Sequence, residues 1–228
     1  MPVILSKKQL WFPKVDEADE SGLIAIGGDL SVERLKLAYS KGIFPWFNEE
    51  PILWWSPDPR MVLFPGKMII SHSLQQVIRR NEFEIRFDTH FENVIKACAE
   101  IPRNDEDDTW ITGSMVKAYV KLHKAGLAHS VEAYKGEKLV GGLYGIAIGK
   151  AFFGESMFHI IPNASKVALY KLSMKLKEWN FHIIDAQVYT NHLESLGGEL
   201  LPRSKYLTIL NQALQETGMD GSWSTFSV

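Results

Sequence analysis

Polar and apolar residues alternate from Phe83 to Phe87 (FEIRF), the period-two pattern of a strand with one buried face. The period then changes. Phe91, Val94, Ile95 and Cys98 fall on one face of a helix, with Asp88 placed to cap it. Thr112 opens a second helix carrying Met115, Tyr119 and Leu122, which Gly126 ends. HSVEAY, KLVGGLYGIAIG and KAFFGESMFHI follow, split by Lys135-Gly136 and Gly149-Lys150, and predict three consecutive strands. Asn163 to Trp179 reads as a helix, FHIIDAQV (181–188) as a strand, and Ser204 to Thr217 as a last helix. Nearer the start, Ser31 caps a short helix through Tyr39 that stops at Gly42, and Ser71 caps another.

Helices, then three antiparallel strands, a helix and one more strand predict an α+β fold. The order resembles the mixed sheet of GCN5-type acetyltransferases. Between residues 45 and 65 the pattern breaks, because Pro45, Pro51, Pro57, Pro59 and Pro65 forbid a long helix. Phe44, Trp46, Phe47, Trp54, Trp55 and Phe64 crowd the same stretch, so it is no polar linker but an ordered wall where two units meet. The division expected is a small N-terminal domain, 1–62, and a larger C-terminal domain, 63–228.

Composition narrows the class. Of 228 residues 46% are apolar and 23% charged, as in globular proteins that bury a core. A net charge of −2 gives no general basic field for nucleic acid. The single cysteine, Cys98, excludes an internal disulfide and a multi-cysteine metal knuckle. The longest apolar run, Leu139 to Gly149, is too short to span a bilayer, so no membrane partner is expected. The first residues, MPVILSKKQLWFP, lack the features of a signal peptide, which makes the cytoplasm the default compartment.

Candidate chemistry lies where polar residues interrupt apolar strands. The seven histidines show no paired-ligand spacing, so no metal is expected. Gly154-Glu155-Ser156 starts like a nucleophile elbow but lacks the second glycine. Glu155 follows AFFG, while Asp185 and Gln187 interrupt IIDAQV and, two apart, point to one side of a strand. A carboxylate in an apolar run costs free energy unless it is paired or functional. Either one alone fits a structural role, bracing a loop through backbone hydrogen bonds. Two on neighbouring strand ends, with an amide beside one, favour a site. Trp46 and Trp110 stand outside any amphipathic pattern and are either core or, with Tyr39 and Tyr119, platforms that stack a base. Arg79 and Arg80, adjacent on the Ser71 helix, suit phosphate oxygens, whereas the lysines of the Asn163 helix read as a solvated face.

Read together, GLIAIGGDLSVERLKLAYSKGIFPWF, ILWWSPDPRMVLFP, TWIT, GESMF, NASKVAL, DAQV and HLESLGGELLPR resemble, in order, the bacterial leucyl/phenylalanyl-tRNA–protein transferases. The resemblance covers about Gly22 to Arg203. It implies an aminoacyltransferase that moves Leu or Phe, and Met less well, from aminoacyl-tRNA to the N-terminal Arg or Lys of acceptor proteins, creating an N-degron. It also implies a small N-terminal domain before an acetyltransferase-like one, with no cofactor. Following the family, Gln187 orients the attacking amine, Asp185 polarises and holds Gln187, and Glu155 supplies negative charge to the acceptor's side chain or to the developing ammonium. Trp46 and Trp110, supported by Tyr39 and Tyr119, place the terminal adenosine. Leu143, Phe152, Met157, Leu169 and Leu172 form the aminoacyl pocket, and Arg79 and Arg80 meet the tRNA. A monomer is expected. Leu143 stands where many relatives carry methionine, and His72 and Gln76 where they are basic.

Two alternatives stay open on the residues: an acetyl-CoA-dependent N-acetyltransferase, and a non-catalytic RNA- or peptide-binding module. Against the first, Ile160 to Lys166 carries none of the glycines whose close backbone amides hold a pyrophosphate.

Overall fold

The computed structural model describes residues 2–101, 110–219 and 221–226. Strands β1 (Val3–Leu5), β2 (Leu23–Gly27), β3 (Phe44–Pro45) and β4 (Leu53–Trp55) form a four-stranded sheet in the order β1-β2-β4-β3, beside helix α1 (Val32–Ser40). Strands β5 (Arg60–Leu63), β6 (Glu84–Phe87), β7 (Ala128–Lys135), β8 (Lys138–Ile148), β9 (Ala151–His159), β10 (Ile183–Gln187) and β11 (Glu199–Leu201) form a seven-stranded sheet, ordered β11-β5-β10-β9-β8-β7-β6. The β9–β10 pair is parallel and every other ladder of this sheet is antiparallel. Helices α2 (His72–Arg79), α3 (Phe91–Glu100), α4 (Gly113–Lys124), α5 (Ala164–Glu178), α6 (Asn191–Ser195) and α7 (Arg203–Leu214) complete an α+β fold.

Helix starts follow the expected chemistry. The Ser31, Ser71 and Thr112 side chains accept the N–H groups of Arg34, Leu74 and Met115, satisfying donors that a first helical turn leaves open. Asp88 departs from that pattern. The residue capping α3 is His90, without a side-chain bond, because the Asp88 carboxylate is turned inward. It accepts the N–H groups of Ser130 and Trp223 at 2.9 and 2.7 Å and lies 2.8 Å from His129 Nδ1. Not foreseen were β5, hidden among prolines, β11, α6, and the four short strands of the smaller sheet. The expected boundary at 62/63 falls inside β5, which belongs whole to the larger sheet.

Two apolar layers cover the large sheet. Tyr144 and Ile146 of β8 pack with α3, α4, α7 and the small sheet, whereas Leu143 and Ala147 face α5 and Trp223. The first layer is continuous from Leu5 to Ala213 and so joins both sheets. Each large side chain buried there contributes about 1.5–3 kcal/mol. Glycine is required at 141, where a Cβ would come within 2.5 Å of the Ala164 Cβ, so the start of α5 rests directly on β8.

Candidate active site

The parallel strands β9 and β10 are paired only as far as Phe153 and Asp185. Just past that point each strand holds one extra residue. In β9, Gly154 and Ser156 oppose the consecutive residues Gly145 and Tyr144, leaving Glu155 as the bulge. In β10, Asp185 and Gln187 oppose the consecutive residues Val62 and Met61, leaving Ala186 over. A bulge ends pairing locally and re-aims the side chains beside it. The β9 bulge reverses the inside–outside order: Phe153 shares a layer with Phe158, and Phe152 shares the opposite one with Met157. The β10 bulge overturns the expectation that Asp185 and Gln187 point alike because they are two apart. Gln187 also takes a left-handed backbone, φ 59°.

Asp185 is fully buried and fully partnered. Arg60 of β5 donates to it through Nε and Nη2, both at 2.8 Å, and Tyr206 of α7 donates its hydroxyl at 2.7 Å. The fourth donor is the main-chain N–H of Gln187 at 3.0 Å, so Asp185 meets the Gln187 backbone and not its carboxamide. Gln187 as a residue is 7% exposed, and its carboxamide nitrogen is buried without a hydrogen-bond partner. The Arg60 guanidinium lies 4.7 Å from the ring centres of Phe44 and Tyr206. Burial works against the Arg60 charge, but Asp185 more than offsets it and the Arg60 pKa is raised.

Among the described residues no such cation bonds Glu155. The hydroxyls of Tyr39 of α1 and Tyr119 of α4 lie 2.7 and 2.8 Å from its two oxygens and against each other; their two protons serve two of these three contacts when Glu155 is ionised, and a protonated Glu155 supplies the third. Burial pushes the Glu155 carboxyl from its ordinary 4.5 up to about 7, against the opposing pull of the two tyrosine hydroxyls. Burial and the neighbouring Glu155 charge in turn raise both tyrosines well above 10. Tyr39 and Tyr119, expected beside the tryptophans, therefore place their hydroxyls on the carboxylate.

The remaining candidates fall into three places. Trp46, just past β3, is 41% exposed and its ring centre lies 5.9 Å from that of Trp55, while Trp110, before α4, is half-buried against the first apolar layer. Leu143, Phe152, Leu169 and Leu172 are buried together in the layer under α5, with Met157 partly buried against it. Arg79 and Arg80 end α2 in solvent, Arg80 at 3.8 Å from Glu82. Among the described residues no group of three or more His, Cys, Asp or Glu is placed to hold a metal ion. No helix there is long and apolar enough to cross a membrane.

Sequence reasoning missed Arg60 and Tyr206. The signal for Arg60 was available, since a buried aspartate in IIDAQV needs a cation and WWSPDPR ends in one ahead of the apolar run MVLF.

Two family models match this chain, leucyl/phenylalanyl-tRNA protein transferase over residues 62–211 and the N-terminal domain of the same family over 28–58. The chain belongs to this family. Among curated relatives, a leucyl/phenylalanyl-tRNA--protein transferase of Flavobacterium johnsoniae is 52% identical over 204 residues, spanning 89% of this chain and 96% of its own. The proteins of the same name from Syntrophobacter fumaroxidans and Myxococcus xanthus are 51% and 50% identical, covering 98% and 93% of this chain and 96% and 92% of theirs. The match spans the elements that carry Tyr39, Trp46, Tyr119, Glu155, Asp185 and Gln187.

Proposed function

We propose that this chain transfers leucine or phenylalanine from aminoacyl-tRNA to the N-terminal arginine or lysine of proteins. The observation that carries the reading is the pair at the parting of β9 and β10: a carboxyl held near neutral pKa, and a buried carboxamide with a free N–H donor. The acceptor's α-amine attacks the ester carbonyl. A C–N bond forms, the C–O bond to the tRNA ribose breaks, the ribose oxygen leaves with a proton, and the amine gives one up. Ionised Glu155 takes that proton, or balances the ammonium before it is lost, with Tyr39 and Tyr119 fixing the carboxylate. Gln187 offers its carboxamide to orient the reacting groups. The ester arrives activated, so alignment supplies most of the acceleration and no cofactor is needed.

Trp46, exposed at the rim, and Trp110 stack the terminal adenosine. Leu143, Phe152, Met157, Leu169 and Leu172 receive the apolar side chain, and Arg79 and Arg80 meet tRNA phosphates. All these groups come from one chain, which suits a monomer, and charged tRNA puts the reaction in the cytoplasm. The parting of two parallel strands inside a mixed sheet supports the GCN5-type reading of the C-terminal unit. The division from a small N-terminal unit is best placed ahead of β5 rather than through it.

The test incubates purified protein with radiolabelled Leu-tRNA and a peptide beginning with arginine. Label should move to the peptide, and Glu155→Gln should lower the rate most above pH 7. Failure to label the peptide at any pH rejects the reading.

A further inference from the structure

We infer that Arg60, with Tyr206, is a positioning residue for the transfer step: it clamps Asp185 so that Asp185 holds the Gln187 backbone and leaves the Gln187 carboxamide free for substrate. The inference rests on the proposed role of Gln187. A carboxylate offers about four acceptor positions, and Asp185 uses them on Arg60 Nε, Arg60 Nη2, the Tyr206 hydroxyl and the Gln187 N–H. Nothing is left with which it can accept from the Gln187 side chain or take a proton from an amine. What it does reach is the backbone of the one residue in β10 with positive φ. That conformation is strained for a side chain as large as glutamine and persists only where the surroundings impose it. The bond from Asp185 spans the bulge at Ala186 and adds to the main-chain bond from Val188 N–H to the Ala186 carbonyl, 2.8 Å, that closes the turn around Gln187.

Arg60 is suited to hold the other end. Its planar fork meets both carboxylate oxygens, and its faces are enclosed by Phe44 from the small sheet and Tyr206 from α7. A lysine ammonium cannot make the paired contact in that slot. Four segments, β3, β5, β10 and α7, thus meet at one ion pair and fix one carboxamide.

The experiment compares wild type with Gln187→Ala, Arg60→Lys, Tyr206→Phe and the paired apolar change Arg60→Met/Asp185→Leu. The paired change removes both charges together, and such replacements are commonly tolerated in a core. For each variant we would measure melting temperature, kcat and KM with Leu-tRNA and an arginine-leading peptide, and exchange of the Gln187 amide proton by NMR. The folded paired variant should lose at least tenfold in kcat with both KM values within twofold, and its Gln187 amide should exchange faster. Arg60→Lys should fall between it and wild type. A purely structural pair would change the melting temperature and leave kcat of the folded protein alone. Should the paired variant not fold, Tyr206→Phe decides, with a two- to fivefold lower kcat and faster exchange expected. Wild-type kcat and exchange in that variant would overturn the inference. A slow Gln187→Ala beside a fully active, folded paired variant rejects the clamp alone. A Gln187→Ala with wild-type rate rejects the role of Gln187 and the clamp with it.

Discussion

Two carboxylates sit side by side where β9 and β10 part, and the protein treats them in opposite ways. Asp185 has a guanidinium, a phenol and an amide, and every acceptor position is used. Glu155 has two phenols, themselves buried and hard to ionise, and among the described residues no cation within bonding distance. The first is an ion-pair partner built into the frame, and burial pushes the second up to about 7. Asp185 is fully buried and Glu155 partly buried, and their hydrogen-bond partners differ in kind. An ion pair favours the charged form of a buried carboxylate, whereas neutral donors only soften the cost of desolvation.

The comparison is broken most forcefully by removing the acid from each side. Asp185→Ala leaves Arg60 buried without its partner, and losing half of a buried pair costs about 3–5 kcal/mol. Urea unfolding should show that loss. A stability within 1 kcal/mol of wild type would mean that Arg60 finds another partner and that the contrast with Glu155 is overstated.

How much of this contrast could be read in the sequence follows from where each partner comes from. Ser31, Ser71 and Thr112 were legible as caps because a cap is settled within three residues. The meander β7–β8–β9 was legible because Gly136 and Gly149 mark its turns. Asp88 looked like another cap, yet its partners His129 and Trp223 are 41 and 135 residues away. Glu155, Asp185 and Gln187 stood out as polar residues in apolar strands. The bulges at Glu155 and Ala186 left no trace, because an extra residue looks like any other until the partner strand is known. Strand β5 was obscured by Pro57, Pro59 and Pro65, which leave only RMVL to pair. Its arginine therefore does not stand out in the sequence as the partner of Asp185.

A smaller and opposite effect is expected at Glu155. An unfolded chain loses this proton near 4.5 and the folded one near 7, so between those values the folded protein holds a proton the unfolded chain has released. Stability therefore falls as pH rises from 4.5 to 7 and then levels off. Glu155→Gln cannot ionise and escapes this penalty. Its stability relative to wild type should be lowest below pH 4.5 and improve by about 1–3 kcal/mol above pH 7. Denaturant midpoints at pH 4.5, 6 and 8 would reveal it. A difference independent of pH would show that Glu155 does not change its protonation on folding and would reject its raised pKa.

The finest distinction comes from removing the same atom on both sides. Tyr39→Phe takes away one hydrogen bond that favours the charged form of Glu155. Its loss should move the Glu155 inflection upward from about 7 by roughly one unit, since one unit corresponds to about 1.4 kcal/mol, the scale of one hydrogen bond to a charge. Tyr119 still holds the other oxygen, so ionisation is delayed rather than abolished. The transfer rate measured against pH should then rise later in Tyr39→Phe than in wild type and approach the same plateau. Tyr206→Phe deletes the matching hydroxyl at Asp185, where Arg60 keeps both oxygens occupied. It should lower the height of the profile without moving its inflection. The acceptor's own α-amine titrates nearby, at about 7.7–8.0, but it is common to all three proteins and cancels in the comparison. Equal displacement in the two variants would mean that the phenols act through general packing. Displacement in Tyr39→Phe alone would tie the ascending limb to the carboxylate bonded by the two phenols.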